Sequence, residues 1–116
     1  GAFRAAGQPL LLAGFSFGGY VASHAAARLA ADGAPAERLV LIAPAASRFA
    51  VAAVPPRTQL IHGESDDVVP LAALFDWARP QQLPVTVLPG AGHFFHGQLS
   101  VLKQIILRAW SPRPAG

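Results

Sequence analysis

The stretch that decides the fold runs from Pro9 to Gly19 and reads PLLLAGFSFGG. Its residues from Pro9 to Phe15 form a continuous apolar run rather than an alternating one, which is typical of a strand covered on both faces. The residues that follow complete the pattern G-x-S-x-G, with Ser16 between this strand and a helical periodicity. The stretch therefore predicts a tight strand-to-helix turn that exposes the Ser16 hydroxyl.

The glycines around Ser16 fit such a turn. We expect Ser16 to be strained there, and a Cβ at Gly14 or Gly18 to clash with backbone across the turn. The helix beyond begins with free N–H groups, of which that of Phe17 can donate to a developing oxyanion. The alternative is a glycine-rich turn in which Ser16 only caps the helix.

The rest of the chain alternates short buried strands with helices. Further strands are predicted at Arg38–Ala43, Thr58–His62 and Pro84–Leu88. Helices are predicted from Tyr20 to a glycine stop near Asp32-Gly33, from Pro70 to the terminator Pro80, and from about Gly97 to Trp110, with a fraying tail beyond. Residues 45–56 are predicted to be loop with about one helical turn. This alternation implies parallel strands joined by right-handed crossovers.

Composition excludes several classes of protein. The 116 residues are 53% hydrophobic and 13% charged, which is too apolar for a disordered chain and too poor in charge for a coiled coil. The net charge of +3 comes from scattered arginines, so we expect no nucleic-acid partner. No apolar run is long enough to span a membrane, and no signal peptide is visible, so we expect a cytoplasmic protein without membrane contact. The absence of cysteine excludes disulfides and thiolate chemistry.

Two further side chains extend the chemistry of Ser16. A hydroxyl is a poor nucleophile unless a base removes its proton, and an acid must hold that base in the right tautomer. Asp66 directly follows the third predicted strand, and His93 directly follows the fourth. All three residues therefore lie at the carboxyl ends of parallel strands, where open α/β sheets bind ligands.

The motifs HGESDDVVP, residues 62–70, and GAGHFFH, residues 90–96, carry a family resemblance. Together with G-x-S-x-G, their order resembles the α/β-hydrolase superfamily, and within it the small lidless bacterial serine hydrolases related to dienelactone hydrolase. The resemblance runs from Leu10 to about Trp110. It implies Ser16 as nucleophile, His93 as general base and Asp66 as the orienting acid.

The matching residues correspond to the C-terminal half of that fold, a parallel sheet with flanking helices. We therefore expect residues 1–116 to be one partial α/β-hydrolase domain whose N-terminal half is absent. The resemblance implies that the missing segment supplies further strands and a second oxyanion donor. Independently, the apolar strand at Leu10–Phe15 needs a neighbour on each side, so its free edge should be bare or paired with another segment.

Neighbouring polar residues leave alternatives open. Asp67 could be the acid instead of Asp66. The resemblance favours Asp66, because it places the acid three residues after Gly63. Otherwise Glu64 and Asp67 are expected to face solvent or cap the helix at Pro70. His62 is expected to satisfy a turn by hydrogen bonding.

Other side chains have competing interpretations. His24 is expected to be packed or exposed. His96 lies one helical turn after His93 and suggests a metal site with His62, Asp66 and Asp67, which no typical ligand motif supports. Phe15 and Phe17 flank the nucleophile and could line an acyl pocket, but core packing is the default for such residues.

The sequence thus predicts a serine hydrolase that cleaves a small-molecule ester or thioester through an acyl-enzyme, with no cofactor. One alternative is a non-catalytic binding or scaffold module on the same fold. Another is an acyltransferase that passes the acyl group to an alcohol or amine.

Overall fold

Strands and helices alternate along the chain, as the periodicity predicts. The computed structural model describes residues 11–36 and 38–110. The strands are β1 (Leu11–Phe15), β2 (Arg38–Ile42), β3 (Gln59–Gly63) and β4 (Val85–Leu88). The helices are α1 (Phe17–Ala31), α2 (Leu71–Ala78) and α3 (Leu99–Trp110), and a short 3-10 turn (Arg79–Gln81) follows α2. Residues 9 and 10 of the first predicted strand, and the predicted fraying tail after Trp110, lie outside the described residues.

The four strands form one parallel sheet in the order β1-β2-β3-β4. Every strand therefore ends at the same edge of the sheet, and the residues that follow the strands are brought together there. The predicted parallel sheet with flanking helices is confirmed.

Two hydrophobic clusters cover the two faces of the sheet. Successive side chains of a strand point to opposite faces, so Leu39 and Leu41 of β2 enter one cluster while Val40 and Ile42 enter the other. The first cluster receives α1 and α2, and the second receives residues of α3. Each fully buried side chain of this size contributes about 1.5–3 kcal/mol. Burial on both faces explains why β2 reads as a continuous apolar run.

Helix α1 begins earlier than the apolar spacing predicts. The Ser16 carbonyl accepts the Gly19 N–H at 2.9 Å, which starts the helix at Phe17, ahead of Tyr20. The predicted glycine stop is confirmed, since Gly33 has a φ of 80°.

The other helix boundaries differ by a few residues. Pro70 precedes α2 as its N-cap rather than lying in the first turn. Pro80 lies inside the 3-10 turn instead of ending the helix directly, and α3 begins at Leu99, two residues later than predicted. Residues 45–56 contain turns but no helix. No helix within the described ranges is long and apolar enough to cross a membrane.

Strand β1 lies at the edge of the sheet. Within residues 11–36 and 38–110 it pairs with β2 alone, so its other edge is unpaired there, in line with the prediction. The expectation that both of its faces are covered is met only in part, since half-buried Leu12 packs against the first cluster and half-buried Leu11 against the second. Gly14 is the one β1 residue that is buried, and Phe15 is 38% exposed, because helices and loops of the described chain cover mainly β2 and β3.

Candidate active site

Ser16 lies alone between β1 and α1 in a strained conformation. Its φ is 55° and its ψ is −117°, outside the backbone regions that residues other than glycine favour. The Ser16 N–H donates to the Ile42 carbonyl at 2.9 Å, which ties the turn to the end of β2. Such strain costs about 1–3 kcal/mol and persists only where the surrounding structure holds it. The predicted strained turn is confirmed.

The glycines of the turn have unequal roles. A Cβ at Gly14 would lie 2.1 Å from the Gly18 carbonyl oxygen, so the expected clash is confirmed there. The same expectation is wrong for Gly18, because a Cβ on that residue would meet open space. Gly19 is the second position under constraint, since its Cβ would lie 2.9 Å from Cβ of Pro44.

Ser16, His93 and Asp66 form a continuous chain of contacts. His93 Nε2 lies 2.9 Å from Ser16 Oγ, and His93 Nδ1 lies 2.7 Å from Asp66 Oδ2. Because a carboxylate only accepts, Nδ1–H donates to Asp66 and Nε2 is left to accept the Ser16 hydroxyl proton. The sequence-predicted residues are thus brought together at the carboxyl edge of the sheet, and both Asp66 and His93 are buried.

The backbone of its own loop orients the Asp66 carboxylate. Asp66 Oδ1 accepts the N–H groups of Val68 at 2.9 Å and of Val69 at 2.7 Å, which leaves Oδ2 for His93. Asp67 is exposed, and Asp66 is the aspartate within hydrogen-bonding distance of His93. The geometry favours Asp66 over Asp67 as the partner of the histidine.

His62 approaches the same carboxylate oxygen as His93. Its fully buried ring donates from Nε2 to the Val69 carbonyl at 2.7 Å, so the expected turn hydrogen bond is confirmed. Nε2 is also 3.3 Å from Asp66 Oδ2, a contact that the sequence pattern does not predict. Burial lowers the pKa of His62 below its usual 6.5, despite the opposing effects of the Val69 hydrogen bond and the Asp66 charge. His62 is therefore a neutral hydrogen-bond donor at neutral pH.

Hydrogen bonds join the loop that carries Asp66 to the loop that carries His93. Glu64 is exposed as expected, but its Oε1 accepts the Gly90 N–H at 2.8 Å rather than capping α2. The Ser65 N–H donates to the Ala91 carbonyl at 2.9 Å. A Cβ at Gly63 would lie 2.4 Å from that carbonyl oxygen, so this close approach of the loops requires glycine. These bonds set the separation of Asp66 and His93.

Two groups of aromatic rings each include one chain neighbour of Ser16. The histidine-side pair consists of Phe15 and Phe94, whose ring centroids lie 5.1 and 4.9 Å from that of His93. The helix-side cluster consists of Phe17, Tyr20 and Phe49, with centroids 4.9–5.6 Å apart. The expectation that Phe15 and Phe17 pack in the core is wrong for the described residues, because both side chains are exposed.

The remaining histidines lie outside the contact chain. His24 is exposed and donates from Nε2 to the Ala50 carbonyl at 2.8 Å, and His96 is exposed. The suggested metal site would need His96 to converge with His62, Asp66 and Asp67. Among the described residues, no group of three or more His, Asp or Glu side chains is placed to hold an ion.

A family model described as a thioesterase domain matches residues 3–96. The chain belongs to the thioesterase-domain family. A search of curated proteins found no match.

Solved structures extend this family assignment to the fold. A lidless α/β serine hydrolase from Xanthomonas campestris is 34% identical, with a TM-score of 0.78 over 92% of this chain. An α/β serine hydrolase homologue from Coxiella burnetii is 29% identical, with a TM-score of 0.75 over 89% of this chain. The resemblance to the α/β-hydrolase superfamily and to its small lidless members is confirmed. The chain spans about half the length of each, 50% in both cases.

Within this family, the site offers three chemical functions at one edge of the sheet. It has a hydroxyl on a strained turn, an imidazole in hydrogen-bonding contact with it, and a buried carboxylate that contacts the imidazole. Phe17 adds a backbone N–H at the first position of α1, where no carbonyl of the same helix precedes it to accept. This arrangement suits nucleophilic attack on a carbonyl carbon.

Proposed function

We propose that this thioesterase-domain chain forms the catalytic part of a serine hydrolase that cleaves an ester or thioester. The single observation that carries the proposal is the unbroken contact chain from Ser16 Oγ through His93 to Asp66 Oδ2. Both of its distances lie within the range of about 2.6–3.2 Å expected of a nucleophile, its base and the group that orients the base. The similarity to a lidless α/β serine hydrolase and to an α/β serine hydrolase homologue supports the same chemistry.

Acylation begins when Ser16 Oγ attacks the substrate carbonyl and His93 Nε2 takes the hydroxyl proton. Asp66 stabilises the resulting imidazolium through Nδ1–H. The Phe17 N–H donates to the oxyanion that forms on the carbonyl oxygen. His93 then returns the proton to the leaving alcohol or thiol, whose bond to the carbonyl carbon breaks as the acyl-enzyme forms.

Deacylation repeats these steps with water. His93 takes a proton from water, the hydroxide attacks the acyl carbonyl, and the proton passes to Ser16 Oγ as the ester bond to the enzyme breaks. The products are a carboxylic acid and the free enzyme.

We also propose that activity requires protein segments beyond these residues. This chain spans half of each similar structure, and β1 has one unpaired edge within the described ranges. One N–H donor is an incomplete oxyanion site, and each further donor is worth about 100-fold or more in turnover. A second donor is therefore assigned to another segment of the intact protein.

The proposal is tested by hydrolysis assays on a matched oxygen ester and thioester, with the full-length protein and its Ser16→Ala variant. We expect hydrolysis by the wild type, and a loss of several orders of magnitude in the variant. Hydrolysis that survives Ser16→Ala would contradict the nucleophile assignment. Binding of both compounds without turnover would favour a non-catalytic module, and turnover that depends on an added alcohol or amine would favour an acyltransferase.

A further inference from the structure

The helix-side cluster includes exposed aromatic rings and a residue next to Ser16 in the chain. Phe17 follows Ser16 in the chain and is 52% exposed, and Phe49 is 40% exposed. The ring of Phe17 stacks on that of Tyr20 at 5.6 Å and meets that of Phe49 edge-on at 4.9 Å. Rings that contact one another while remaining half exposed form a continuous apolar surface open to a ligand.

Side chains of two helices hold the segment that carries Phe49. The Ala50 carbonyl accepts from His24 Nε2–H at 2.8 Å, and the Val51 carbonyl accepts from Trp77 Nε1–H at 3.0 Å. The Ala52 N–H donates to the fully buried hydroxyl of Ser23 at 3.0 Å. Three successive residues after Phe49 are thus fixed to α1 and α2. The cluster is formed before any ligand binds, which lowers the entropic cost of binding.

The reaction assigns different substrate groups to the two aromatic groups. His93 must protonate the leaving group, so the leaving group lies on the side of His93, where Phe15 and Phe94 contact the imidazole. Among the described aromatic residues, no ring of the histidine-side pair contacts a ring of the helix-side cluster. The helix-side cluster is therefore available to the acyl group.

On the basis of the proposed function, we propose that the helix-side cluster is the acyl-binding subsite and that the substrate carries an apolar acyl chain longer than acetyl. Phe17 serves twice in this arrangement. Its N–H faces the oxyanion, and its ring contacts the first carbons of the acyl chain. Phe49 contacts the chain further from the carbonyl.

The test compares p-nitrophenyl acetate with p-nitrophenyl hexanoate, which share a leaving group and differ only in the acyl chain. In the full-length protein, Phe49→Ala should lower kcat/KM for hexanoate by about tenfold or more and for acetate by less than about threefold. Phe75→Ala is the matched control. Phe75 is 37% exposed, close to the 40% of Phe49, but lies on α2 outside both aromatic groups, and its variant should leave the hexanoate-to-acetate ratio unchanged.

Phe17→Ala is a second, independent variant, since it keeps the backbone N–H and should cause the same selective loss on hexanoate. Equal losses on both esters in the Phe49 and Phe17 variants, or a changed ratio in Phe75→Ala, would overturn the subsite while leaving the proposed function intact. If the wild type hydrolyses neither ester faster than Ser16→Ala does, the proposed function itself fails.

Discussion

His62 Nε2 lies 3.3 Å from Asp66 Oδ2, whereas the N–H groups of Val68 and Val69 donate to Oδ1. The same nitrogen donates to the Val69 carbonyl at 2.7 Å, so one buried ring contacts both the Asp66 carboxylate and the backbone of the loop that carries it. Burial lowers the pKa of His62, and the ring stays neutral at neutral pH. The negative charge of Asp66 therefore remains available to an imidazolium at His93.

The lowered pKa of His62 predicts that stability falls as the pH drops below about 6.5, the usual value for histidine. In that range the unfolded chain binds a proton at His62 that the native state does not, so the contribution is at most about 1.4 kcal/mol per pH unit. Urea unfolding at pH values on either side of about 6.5 gives the free energy of unfolding as a function of pH. This free energy should vary less steeply with pH in His62→Gln than in the wild type, because glutamine does not titrate. The glutamine amide can still donate to the Val69 carbonyl. An unchanged slope in His62→Gln would contradict this assignment.

The contact between Asp66 and His93 predicts unequal effects at the two adjacent aspartates. Asp66→Asn should lower kcat by about 10⁴-fold, because an amide at this position favours the wrong histidine tautomer. Asp67→Asn makes the same chemical change one residue away. Because the Asp67 side chain is exposed, we expect kcat to change by less than about threefold. Steady-state kinetics on one ester decides between them. A larger loss in Asp67→Asn would make Asp67 the acid.

The hydrogen-bonding contact between Ser16 and His93 predicts effects that do not add. Ser16→Ala and His93→Ala should each reduce turnover by several orders of magnitude, and the double variant should be little worse than either single one. Single-turnover rates on an activated ester measure all three. Additive losses would show that the two side chains act independently.

The turn before α1 predicts opposite outcomes for two glycines. Gly14→Ala places a Cβ 2.1 Å from the Gly18 carbonyl oxygen and should destabilise the fold by about 1–3 kcal/mol or more. Gly18→Ala meets open space inside a helix, where alanine is favoured over glycine by up to about 1 kcal/mol. Thermal or urea unfolding of both variants tests the pair. Equal destabilisation would show that the turn differs from the one described.

The sequence allowed the contact chain to be predicted because each of its residues follows a recognisable strand. Parallel strands bring their carboxyl ends to one edge, so Ser16, Asp66 and His93 could be placed together without coordinates. The error at Gly18 has a local origin. The pattern G-x-S-x-G treats its glycines alike, whereas the close approach in the turn falls on Gly14 and Gly19.

The aromatic cluster could not be predicted in the same way. Phe49 lies in an irregular loop whose path depends on bonds from Ser23, His24 and Trp77, residues distant in the chain. Side-chain bonds to loop backbone leave no periodic signal in a sequence. The contact between His62 and Asp66 could not be predicted for a related reason, since it depends on how the loop turns back over the end of β3.

The central claim is that Ser16 is a nucleophile activated by His93, and covalent labelling with a fluorophosphonate tests it most directly. The full-length protein is incubated with the probe, and the adduct is located by peptide mass spectrometry. The predicted result is one adduct, on Ser16, that is absent from Ser16→Ala and formed far more slowly by His93→Ala. An adduct on another residue, or equally fast labelling of Ser16 in His93→Ala, would contradict the account.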